Sequence, residues 1–82
     1  MKELLKRLEE AEERATAADS AWEQDPENEE LEKAFDEAWR AEFKAASELT
    51  KAIQKATGID AKTAGAMIRG HREELKAIIE RA

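Results

Sequence analysis

The sequence predicts an all-α fold, an antiparallel three-helix bundle over residues 1–82 as one domain, and three observations carry that prediction. The chain has no Val, Tyr or Cys, three Gly and one Pro, and it is rich in Ala, Glu, Lys, Leu and Arg. Those are the strongest helix formers, while the residues that favour strands and tight turns are nearly missing. Apolar positions recur at three- and four-residue intervals, the period of a helix face. Two stretches, Gln24–Glu29 and Thr57–Asp60, carry the clearest turn and capping signals.

The first helix is expected over about residues 2–24. Leu4, Leu8, Ala11, Ala15, Ala18 and Trp22 follow a 4-3-4-3-4 spacing and form one apolar stripe. Asp25 is a good N-cap and Pro26 suits the first position of the following helix, whose early Glu27, Glu29 and Glu30 match the positive end of its dipole. The second helix is therefore expected over 26–57. Leu31, Phe35, Ala38, Ala45, Leu49, Ala52 and Ala56 make one stripe, with Trp39, Phe43, Ala46 and Ile53 beside it. Two adjoining stripes imply two neighbours, so this helix is the central strut.

Gly58 is suited to a left-handed C-cap and Asp60 to the next N-cap, which starts a third helix near residue 61 and carries it to 81. Antiparallel register from that turn sets Ala64 near Ile53, Ile68 near Leu49, His71 near Ala46, Leu75 near Glu42 and Ile78 near Trp39. The heaviest part of the core is then expected at Phe35, Trp39, Phe43, Leu75, Ile78 and Ile79, joined by Leu8. Gly65 and Gly70 interrupt this helix, and a glycine inside a helix costs roughly 1 kcal/mol relative to alanine. Either something approaches closely there, or the helix breaks near Gly70 into two.

Net charge is −6, unevenly placed: residues 1–39 hold five basic and fourteen acidic side chains, residues 40–82 nine and six. Such polarity can steer charged partners. Without Cys there is no disulfide or thiolate metal site. The longest uncharged run, Thr63 to Ile68, is far short of the ~20 apolar residues of a membrane span. With no apolar signal region at Met1, the expectation is a soluble, cytoplasmic protein that does not engage membranes.

Catalysis needs a positioned nucleophile, acid or base, and the inventory is nearly empty. His71 is the only histidine, Ser20 and Ser47 the only serines. His71 and Glu74 at i,i+3 could offer two ligands to a metal if Glu42 or Glu48 stood at the same level. With sixteen Glu in the chain, such a pairing arises by chance, so neither metal nor cofactor is expected, and no catalytic residue.

The stretch Ile53-Gln54-Lys55-Ala56-Thr57-Gly58-Ile59-Asp60-Ala61-Lys62-Thr63-Ala64-Gly65-Ala66-Met67-Ile68-Arg69-Gly70 resembles a helix-turn-helix of the phage-repressor kind, with Ile53, Gly58, Ile59 and Met67 at its structural positions. That resemblance implies Lys62 and Thr63 at base edges and Lys55, Arg69 and Arg72 at phosphates. It departs from the family at Gln54, where a small alanine is usual, and at Ala64, where a branched apolar residue is usual. As a whole the chain resembles an idealised, designed helical bundle, and its layout is similar to small bacteriophage-encoded helical proteins. Neither of those likenesses assigns a functional residue.

The functional expectation is a non-catalytic interaction module that binds a protein partner through Phe43, Lys44, Met67, Ile68 and His71, between the second and third helices. The alternatives are a DNA-binding helix-turn-helix and an acidic mimic of nucleic acid that blocks a basic partner. An alanine-rich core with regular apolar stripes could also complete itself as a homodimer.

Overall fold

The computed structural model describes residues 1–81, in which four helices and no strand are found: α1 (Lys2–Gln24), α2 (Glu29–Thr57), α3 (Ala61–Gly70) and α4 (Arg72–Arg81). The chain is all-α as expected, but it has four helices where three were expected: of the two alternatives for residues 61–81, the break near Gly70 is the one found. The molecule is a rod of 45 × 19 × 18 Å, whose length is about that of α2 alone at 1.5 Å per residue.

α1 and α2 form a long antiparallel hairpin. Trp22 stacks on Phe35 near its closed end, ring centroids 5.4 Å apart, while Leu5 and Leu8 join Leu49 and Ile53 in the core at its open end. The turn differs from expectation in both cap and length: α2 begins at Glu29, not at 26. Asn28, not Asp25, caps α2, its side chain accepting from the N–H groups of Glu30 and Leu31. Asp25 and Pro26 instead open a tight turn closed by the Asn28 N–H on the Asp25 carbonyl at 3.1 Å. Pro26, with its fixed φ and no N–H, fits the second position of such a turn as well as a first helical one.

The second turn forms as its residues dictate. Gly58 sits at φ +77°, in the left-handed region, and its N–H reaches the Gln54 carbonyl at 2.9 Å. Asp60 then caps α3 by accepting from the Thr63 N–H at 2.7 Å, which holds its carboxyl below the usual carboxylate range. A depressed pKa means the cap adds stability above the ordinary carboxylate pKa and loses it as pH falls through the lowered value. Asp60→Asn, which keeps a neutral cap, is expected to flatten that acid-side slope in denaturant melts recorded below about pH 4.

The chain breaks at His71 (φ −130°, ψ 52°), whose N–H still bonds to the Met67 carbonyl while its own carbonyl accepts from Leu75 to begin α4. α4 then runs back toward the open end of the hairpin: Arg72 pairs with Glu12 of α1, and Ile78 and Arg81 lie beside Ala56 and Thr57 at the end of α2. Arg72 fixes this reversal. Its Nη1 and Nη2 donate to the two carboxylate oxygens of Glu12 at 3.0 and 3.1 Å, and Nε and Nη2 donate to the Ile68 carbonyl at the end of α3.

The core follows from the reversal. Leu5, Leu8, Leu49, Ile53, Ala64, Ile68, Leu75 and Ile79 are buried together, with Met67 packed against them. Leu8, Leu75 and Ile79 are thus core as expected, but their companions are not the expected aromatics. Leu75 and Ile79 return to Leu5 and Leu8 instead of running on past Glu42 and Trp39. Phe35 and Ile78 are half-buried, and Trp39 and Phe43 are 54% and 66% exposed. In α1 the buried residue of the first turn is Leu5, with Leu4 only half-buried.

Candidate functional site

Because α3 and α4 fold back on the open end, the half of the hairpin toward Asp25 has no third helix over it. On α2, one helical turn apart, Trp39 and Phe43 stack with ring centroids 6.0 Å apart and an interplanar angle of 22°. A contiguous exposed patch of large apolar side chains, unlike a single exposed one, is the kind of surface that marks an interaction site. Beside them lies a groove of about 380 Å³ between α2 and α3, lined by Trp39, Glu42, Phe43, Ala46, Ser47, Thr50, Gly65, Ile68 and Arg69.

The groove has one end of large rings and a floor of small side chains. Ala46, Ser47 and Thr50 follow the aromatics along α2, the Thr50 hydroxyl donating to the Ala46 carbonyl at 2.8 Å. Gly65 faces them from α3. A Cβ at Gly65 would meet nothing closer than the Arg69 guanidinium at 3.8 Å, an ordinary contact. The packing inside this chain therefore does not require glycine there. Glu42 and Arg69 mark the two polar edges.

The five residues expected to bind a protein are only partly brought together. Phe43 and Ile68 line the groove, although Ile68 is itself a core residue at 5% exposure. Lys44 is exposed next to Phe43, Met67 is half-buried against the core, and His71 is exposed at the break between α3 and α4. Trp39 and Gly65 belong to the groove; the sequence places Trp39 in the core and reads Gly65 as a point of close approach or part of a helix that breaks near Gly70. The signal that could have moved Trp39 outward is Gly70 followed by Arg72, which ends the helix meant to cover it.

Of the residues that the helix-turn-helix resemblance points to, Lys55, Lys62, Thr63 and Arg69 are exposed. Arg72 is not free for a phosphate, since both terminal nitrogens are held by Glu12 and Ile68. Glu12 holds its guanidinium still more firmly in the charged form than usual, against the opposing effect of partial burial. Ala64, the departure from the motif, is fully buried between the helices, where a branched side chain would need more room.

The His71 Nδ1 lies 4.0 Å from Glu74 Oε1, both side chains mostly exposed. Among the described residues no group of three His, Asp or Glu side chains is placed to hold a metal ion, and no helix is long and apolar enough to cross a membrane. Compared with models of protein families, with curated proteins and with solved structures, the chain matches none of them.

Proposed function

We propose that this chain is a non-catalytic helical module that binds a protein partner by laying the Trp39–Phe43 ridge and its groove against an apolar helical face. The observation that carries the reading is the stacked, more than half exposed aromatic pair beside an open groove. Tryptophan and other large rings dominate binding energy where they are desolvated against a partner, and they order few rotatable bonds in doing so. Lys44 and Arg69 are exposed close to the rings and suit the polar rim that surrounds such a centre. A hydrolytic or transfer reaction has less support, since the one histidine faces solvent with a single carboxylate near it.

A photo-crosslinking side chain introduced at position 43 is expected to yield protein adducts, with another protein or with a second copy. The same group at Glu13, exposed on α1, should yield none, and Trp39→Ala should reduce the adducts from position 43. Equal yields from both positions would sink the reading. Nucleic-acid adducts from a probe at Lys62, with none from position 43, would instead favour DNA binding through the exposed Lys55, Lys62, Thr63 and Arg69.

A further inference from the structure

We infer that the aromatic ridge and groove are one self-complementary surface, and that the partner they take is a second copy of this chain, docked antiparallel on a two-fold axis through Phe43. The inference rests on the protein-binding reading and names the partner of that same site. An isologous interface must carry both the projection and its receptor on one patch, each facing the other's counterpart across the axis. This patch does.

Phe43 is the central residue of α2, fourteen positions from Glu29 and fourteen from Thr57. Two α2 helices crossing antiparallel at Phe43 therefore overlap over their whole length, and a residue n positions before 43 in one copy meets the residue n positions after it in the other. Trp39, four before, lands over Ser47, four after. There the groove floor is Ala46, Ser47, Thr50 and Gly65, which has room for an indole ring. Asp36, seven before, lands over Thr50, beside Arg69 on the groove edge.

The overall charge of α2 and α3 along their length agrees with the antiparallel sense. From Glu29 to Glu42, α2 carries six acidic and two basic residues; from Lys44 to Thr57 it carries three basic and one acidic, and α3 adds Lys62 and Arg69 with no acid. The first half of α2 thus has a net charge of −4, and its second half together with α3 one of +4. Antiparallel docking sets each against its opposite in the other copy, whereas parallel docking sets acid on acid.

Gly65 is the independent sign. Its helix-weakening cost is not explained by packing within one chain, because a methyl group would fit. It is explained if Trp39 of the other copy closes on the bare backbone there. Glycine is the residue that permits such an approach.

Sedimentation equilibrium over a micromolar to millimolar series tests this directly. The expected result is a concentration-dependent shift from the 9.2 kDa chain mass to twice that value. Trp39→Ala and Phe43→Ala, both at exposed positions, should keep full helicity by circular dichroism and raise the dissociation constant about thirtyfold or more. Gly65→Ala should raise the melting temperature of the dilute monomer yet weaken the dimer. Asp36→Arg and Arg69→Asp should each weaken it a few-fold and together restore it. A monomer at every concentration, with a probe at position 43 that captures some other protein, overturns the second copy and leaves the binding reading standing. A dimer indifferent to loss of Trp39 and Phe43 overturns the second copy at this surface, and equal crosslinking yields from positions 43 and 13 overturn the binding reading as well.

Discussion

Leu49→Ala is expected to cost about 3–4 kcal/mol of folding stability, measured by urea denaturation followed by circular dichroism. Leu49 is fully buried at the level where α1, α2 and α3 meet, within a cluster that includes Leu8, Ile53, Ala64 and Ile68. The neighbours belong to three different helices, so they cannot collapse together to fill the cavity. A chain of this length has a total stability of roughly 4–12 kcal/mol, so the change removes a quarter or more of it. Phe43→Ala is the informative contrast. A buried Phe→Ala change costs about 3–5 kcal/mol, but at 66% exposure the loss should be below about 0.5 kcal/mol in the dilute monomer. Comparable losses at the two positions would place Phe43 in the core and remove the groove.

The second large effect is expected at Arg72→Met, which keeps the apolar stem and deletes the guanidinium. It removes the bidentate pair with Glu12 and the bonds to the Ile68 carbonyl in one change. Hydrogen bonds to charged groups contribute about 1.5–3 kcal/mol each when sheltered. With the side chains of Arg72 and Glu12 27% and 37% exposed, water moderates that value, and about 2 kcal/mol in total is expected. The loss should be local. Among the described residues this is the only ion pair between segments distant in the chain, and it latches α4 to α1. Amide exchange should therefore accelerate most in α4, and Glu12→Gln should cost less when Arg72 is already Met than in the parent chain. Uniform acceleration over all four helices would show that Arg72 does not act as the latch.

Much of this was legible in the residues. The two turns, the span of α1, the Gly58 cap and the Asp60 cap are local matters, decided by backbone freedom and by side chains that reach their own N–H groups. The buried set Ala64, Ile68, Leu49 and Ile53 followed from counting outward from Gly58. The aromatic pair was misplaced because Ile68 and Leu75 are seven residues apart, which keeps the apolar stripe in phase through Gly70 and makes one straight helix as consistent with the pattern as two. The groove inherits that ambiguity, since it exists only where the missing length of helix would have lain.

The sequence by itself determined an all-α chain, the Gly58 and Asp60 caps and the antiparallel α1–α2 hairpin, because helix propensity and capping act over a few residues. Only the tertiary structure decided that the chain turns back at His71. Turning back buries Leu75 and Ile79 against Leu5 and Leu8 and gives Arg72 both Glu12 and the last carbonyls of α3. Running straight would have covered Trp39 and Phe43 but left that end of the hairpin open. The balance lies between apolar areas on two different faces of the same hairpin; Gly70 permits the break, but the spacing of apolar residues does not encode which face wins.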